Sequence, residues 1–318
     1  MGLLTRVADE VPSILPCAEI EKTKTQNHLR EDVEQRPVAS QHAQVIANDP
    51  RTNLKDQLKS LLHKYNGCTN SDEVVEVVDQ LVELNPTPSN CAQTALFEGE
   101  FHTLTAPTFP GRLKPVTKDQ ENIVQYTLGR ISFNIFQPNK LVCTLRSVRN
   151  PVRSRSVHTK DGRTTFSYHF LLDITIHTPN GDLPATMINE AYCHEHPVVN
   201  NRLMVTFTGG TLMPASEIVN DNSKLKLWEK TFEGAYQKAD EERSYLAWFL
   251  HYFLKLLLGL TVPSDHKEDI LKNTFHFDMK RSPTGHMDVL YLDEDLRITK
   301  GNRGTIVIAE RAVLLSQQ

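Results

Sequence analysis

The stretch TFSYHFLLDITIH, residues 165–177, decides the fold class. Phe166, Tyr168, Phe170, Leu172, Ile174 and Ile176 alternate without a break, and Ser167, His169, Asp173, Thr175 and His177 fill the positions between, with Leu171 the exception. A period of two held this long predicts a strand with one buried face and one wet face. At about 3.3 Å per residue such a strand exceeds ~35 Å, so it is expected to bend or to coil round a closed sheet.

Further strand patterns lie on both sides: RISFNIF (130–136), LVCTLRSV (141–148), LPATMINEAY (183–192) and RLMVTFTG (202–209), then TFHFDMK, MDVLYL, LRIT and TIVIAER. The segments between them, QPNK, KDGR, PNGD and SPTG, supply Pro, Asn, Asp or Gly where a tight reversal wants one. About eight to ten antiparallel strands at hairpin spacing predict a mainly β chain, either a barrel or a sandwich.

Two helices precede them. Leu54, Leu58, Leu61, Leu62 and Tyr65 share one helical face that Gly67 can end. Asn70 and Glu73 have the spacing of a capping box before a second face, Val74, Val77, Val78, Leu81 and Leu84, which NPTP (85–88) stops. The narrow stripes suit a hairpin that buttresses something larger. Between residues 225 and 271 the pattern turns helical again, and YLAWFLHYFLKLLLGL (245–260) is apolar almost all round. Sixteen helical residues extend only about 24 Å against ~30 Å of hydrocarbon, so Trp248, Phe249, Phe253 and Leu256 belong to a core helix, a lid or an interfacial anchor.

Composition narrows the function. A net charge of −4 gives no whole-chain drive toward nucleic acid. The five cysteines lack CxxC spacing, and an odd count argues for a reducing compartment rather than a disulfide framework. The first 50 residues carry eight acidic and five basic side chains and no apolar run, which reads as a disordered tail rather than a signal or transit peptide.

The closing stretch YLDEDLRITKGNRGTIVIAER, residues 291–311, carries acids, bases and two glycines. A phosphate loop would lead from its glycines into a helix, whereas here they lead into an alternating β-branched run. It therefore reads as a hairpin whose glycines supply positive φ, with a solvated turn clamped by an Asp–Arg pair drawn from Asp293, Glu294, Asp295 and Arg297. CHEH (193–196) lacks the third and fourth ligands a zinc site needs and reads as a strand-end loop. Residues 146–163 hold six Lys or Arg against one Asp, a solvated hairpin tip or a grip on anionic headgroups. No aromatic platform for nucleic acid accompanies that charge, and no GxSxG elbow appears.

The same closing stretch resembles that of the plastid lipid-associated protein, or fibrillin, family at Tyr291, Leu292, Asp293, Leu296, Arg297, Ile298, Gly301 and Gly304. The likeness extends back through LGRISFNIF to LNPTP, over roughly residues 54–311. It implies an antiparallel lipocalin-like β-barrel cup behind an N-terminal helical pair, with a helical insertion. In those terms residues 1–51 are the tail and 52–318 the fibrillin-like domain, with helices over 52–88, the barrel over 94–318 and the insertion at about 225–271. It further implies a non-enzymatic binder or organiser of carotenoids, quinones or lipids at thylakoids or plastoglobules, with no cofactor, metal or nucleic-acid partner. Two positions depart from the family: His286 and Phe101 stand where it carries Trp.

A small barrel is just wide enough to be filled by side chains or to hold one small ligand. The inward candidates are Phe133, Phe166, Phe170, Ile174, Met187 and Phe207. An enzyme acting on a lipid or quinone and a coat without internal ligand are the alternatives. Paired titratable groups in a cavity would mark the first, a filled interior the second.

Overall fold

The computed structural model describes residues 49–115, 123–134, 138–158, 164–233, 273–279 and 282–312. The stretch 245–260 with Trp248, Phe249, Phe253 and Leu256, and nearly all of residues 1–51, lie outside them.

Helix α1 (Pro50–Lys64) starts at Asp49, whose carboxylate accepts from the Arg51 amide at 3.0 Å. Its chain is turned by Gly67 at φ +76°, where a Cβ would come within 2.4 Å of the Ala106 nitrogen. Helix α2 (Asp72–Glu83) is capped by Ser71, one residue later than the Asn70 box expected, and Leu84 is exposed rather than on the buried stripe. Leu58, Leu62, Val74, Val77, Val78 and Leu81 pack on Tyr291, Leu296, Ile298 and Ile308. The helical pair thus covers the outer face of the last strands.

The strands are β1 (Gly99–Thr103), β2 (Gln125–Thr127), β3 (Val142–His158), β4 (Thr164–Tyr168), β5 (Phe170–Thr178), β6 (Gly181–Glu195), β7 (Arg202–Pro214), β8 (Phe275–Asp278), β9 (Thr284–Leu292), β10 (Leu296–Gly301) and β11 (Ile306–Arg311). All pairings are antiparallel. They run β6–β5–β3–β1–β11–β10–β9–β7, and β7 pairs back onto β6, so the path returns on itself as a ring of strands. Strand β2 hangs on β3, β8 on β7, and β4 bridges β3 and β6. Short helices α3 (Leu128–Ile131), α4 (Ser216–Val219) and α5 (Asn222–Thr231) and two 3-10 turns (Cys91–Gln93 and Ala95–Phe97) complete the described elements.

The long strand is two strands broken at His169, and its neighbours break at the same level. On β3 the pairing with β5 ends at Arg149 and that with β4 begins at Val152, leaving Asn150 and Pro151 opposite the break. Pro151 has no N–H to offer a ladder, so this is where a strand tolerates it. The β6–β7 register slips between Glu190 and Ala191. Residues 166, 168, 170, 172, 174 and 176 keep one parity through the break. All but the partly exposed Phe170 are buried.

Two sequence expectations fail here. RISFNIF begins not as strand but as α3, because the Thr127 hydroxyl accepts from the Arg130 amide (3.3 Å) and Ser132 Oγ donates to the Leu128 carbonyl (2.8 Å). Local side-chain bonds there outcompete a ladder, and Phe133 and Asn134 follow at φ +54° and +58°. The basic run from Arg146 to Arg155 is no hairpin tip; it lies within β3.

Candidate functional site

The inward face of the ring carries two apolar clusters. Phe101, Val152, Phe166, Tyr168, Cys193, Leu203 and Val289 form one, drawn from strands all round the ring. Ile174, Met187, Leu212, Trp228 and Phe275 belong to the other. Phe170 and Phe207 pack against both, with centroids 5.8 Å apart, and Phe133 meets Phe207 at 4.9 Å. Tyr168 joins the run edge-on to Phe170 at 5.3 Å. Phe166, Ile174 and Met187 are buried, while Phe133, Phe170 and Phe207 are only partly so. All six candidates lie in these two clusters or pack against them, Phe133 from a turn.

A polar seam separates the clusters. Arg297, 3% exposed, lies 4.0 Å from the Phe101 ring centre and 5.5 Å from that of Tyr168. Its Nη2 donates to Asn150 Oδ1. Asn150 Nδ2 donates to the His169 carbonyl at 2.6 Å, and the Ala191 amide donates to His169 Nδ1 at 3.2 Å. Arg297 Nη1 and Asn189 Oδ1 are buried without a hydrogen-bond partner. Burial, with the Arg155 charge, pushes His169 down to about 4, so it is neutral at pH 7. Burial also raises Tyr168 and Cys193, and pushes Cys91 up to about 12. Those three groups are uncharged around the guanidinium. Arg311, 4.7 Å from Phe101, donates instead to the carbonyls of Leu96, Glu98 and Glu294.

The closing motif is built differently from the expected Asp–Arg clamp. Asp293 is 1% exposed, and Arg297 points away from it into the ring. Asp293 Oδ2 accepts from Tyr291 Oη at 2.5 Å and Lys55 Nζ at 3.0 Å, while Oδ1 accepts from the amides of Asp295 (2.9 Å) and Leu296 (2.8 Å). Burial would raise this carboxyl, but the hydrogen bonds from Tyr291, Lys55 and the two amides outweigh it and hold it below the ordinary range. Only Gly304 of the two motif glycines has positive φ, +82°; Gly301 ends β10 and donates to the Thr305 carbonyl at 2.9 Å.

Residues 199–310 match the family model PAP_fibrillin. Over that third of its length the chain is similar to the family. No curated protein and no solved structure matches the chain. The PAP_fibrillin match takes in Phe207, His286 and the closing motif, whereas Phe133, Phe166, Phe170, Ile174 and Met187 precede it.

Among the described residues outside the ring interior, the polar clusters are paired within themselves. A cleft of about 430 Å³ beside α1 is lined by Lys55, Lys59, His102, Asp295 and Glu310. There Lys55 pairs with Asp295 and Lys59 with Glu310, each at 2.8 Å. Thr144 Oγ1, His177 and Asp182 form a hydroxyl–imidazole–carboxylate chain with distances of 2.7 and 2.8 Å. It lies on the outward face, with Asp182 exposed, and ties β3, β5 and β6 together. In CHEH, Cys193 faces inward at the end of β6, and His196 Nδ1 accepts from the amides of Val198 and Val199.

Sequence reasoning missed Lys55, Asn150 and His169. Lys55 lies 238 residues from Asp293, so no local pattern links them. Pro151 inside a strand was the one usable signal for the seam beside it.

Proposed function

We propose that the ring of strands is a lipocalin-like β-barrel, within a single fibrillin-like domain over residues 52–318, that holds one apolar lipid or isoprenoid molecule without catalysing a reaction. The observation that carries this reading is the aromatic run Phe133–Phe207–Phe170, which stays partly exposed between two buried clusters. A pocket of this kind recognises by shape and apolar area. An occupant of ~30 heavy atoms could gain about 9 kcal/mol at drug-like ligand efficiency. The PAP_fibrillin family is plastid lipid-associated and generally structural, which supports a place at plastid membranes or lipid globules. The sequence 245–260 would supply a lid or an interfacial anchor through Trp248, Phe249, Phe253 and Leu256.

The test is mass spectrometry of an organic extract of the purified protein after exposure to total plastid lipid. A carotenoid, quinone or lipid recovered near one per chain is the expected result. An empty extract from a protein that still binds intact liposomes would overturn the internal site and leave a surface coat.

A further inference from the structure

Among the described residues, Arg297 is a charge buried inside the ring with no ion pair and an unspent donor. Other arginines of the sheet show what a matched one looks like: Arg149 reaches Glu100 at 3.5 Å and Asp173 at 3.2 Å, and Arg202 holds Asp288 at 2.6 Å. Arg311 spends its guanidinium on three carbonyls. Arg297 has one amide oxygen and two aromatic rings, and its Nη1 is buried with no acceptor. Among the described residues it makes no ion pair. A core holds such a cation at considerable cost unless something supplies the anion.

We propose that Arg297 anchors the carboxylate of a long-chain fatty acid, so that the occupant of the ring is an anionic lipid rather than a neutral isoprenoid. This rests on the reading of the ring as a lipid-holding barrel. The neutral thiols of Cys91 and Cys193 and the un-ionised Tyr168 supply no anion to Arg297. The one unspent donor, Nη1, matches a single carboxylate oxygen, whereas a phosphate would bring three strong acceptors to it. The acyl chain would lie along a continuous row of aromatic side chains. Tyr168, beside Arg297, touches Phe170, and Phe170 leads through Phe207 to Phe133, at steps of 5.3, 5.8 and 4.9 Å.

The experiment is calorimetric titration of the delipidated full chain with oleate, oleyl alcohol and oleoyl lysophosphatidate, repeated on Arg297→Met. One oleate per chain, bound about tenfold or more tightly than the alcohol, is expected, since one charged hydrogen bond suffices for that ratio. In Arg297→Met the preference should vanish while the affinity for the alcohol stays within about twofold. Equal affinities in the unaltered protein, or a preference that survives the substitution, would overturn the anchor. Tighter binding of lysophosphatidate would overturn its assignment to a carboxylate. The comparison within the unaltered protein decides even where Arg297→Met fails to fold. Binding of none of the three would overturn the barrel reading itself, whereas equal binding of oleate and alcohol leaves that reading standing and removes only the anchor.

Discussion

Asp293 and Arg297 stand four residues apart in one motif, 1% and 3% exposed, and the protein treats their charges in opposite ways. Asp293 turns outward to α1, where a lysine, a phenol and two backbone amides fill its acceptor sites. Arg297 turns inward and keeps a donor unspent. A buried charge with every hydrogen-bonding site filled is a joint. It fixes the β9–β10 turn to the helix that covers it, and nothing is left over for a ligand. A buried charge with a donor in hand is costly for the fold alone, and its value must lie in what it meets.

Removing the joint should have the largest effect on stability. Asp293→Ala leaves Lys55 and two amides without their acceptor and should cost about 3–5 kcal/mol in urea unfolding. Asp293→Asn, which keeps the shape, should cost less. Because the folded-state carboxyl is held below its unfolded value, its contribution is complete above the unfolded value near 3.9 and fades as pH falls through the lower folded one. A stability–pH curve for Asp293→Asn that still falls as steeply as the parent below pH ~4 would break the comparison at this end.

The two residues also show what the sequence could and could not disclose. The alternation over residues 165–177 was readable because the break at His169 preserves parity, so a bent strand and a straight one print the same pattern. The hairpins were readable from local turn chemistry. Closure of the ring was not, since it depends on β6 meeting β7 and β1 meeting β11, and parity cannot say which strands meet. Arg297 misled for a specific reason. In LRIT, Leu296 and Ile298 mark the apolar face, so Arg297 reads as solvated. Helices α1 and α2 cover that apolar face from outside, and the polar parity is the one that faces the interior.

The seam itself should have its own acid signature, smaller than the loss of the joint. His169 is neutral in the fold, its value pushed from 6.5 down to about 4 by burial. A folded value below the unfolded one means the unfolded chain binds the proton first. Stability is therefore whole above about 6.5 and falls as pH drops toward about 4, by an amount on the order of 2–3 kcal/mol. His169→Asn, which can still accept from the Ala191 amide, should flatten that window and leave the lower one belonging to Asp293 in place. If the loss between pH 6.5 and 4 persists in the variant, the seam is not its source.

The smallest effect on stability belongs to the residue given the largest effect on binding. Arg297→Met removes a buried cation that has no counter-charge among the described residues and replaces it with an apolar chain of similar reach. It loses the contacts with Phe101 and Tyr168 and leaves Asn150 Oδ1 unmet. Those losses offset the relief from desolvation, so unfolding free energy without lipid should move by no more than about 1 kcal/mol in either direction. Asp293, of similar burial and in the same motif, should cost several times that. If Arg297→Met instead destabilises the lipid-free protein as much as Asp293→Ala does, the guanidinium is a second joint, and the asymmetry between the two faces of β10 has no bearing on what the ring holds.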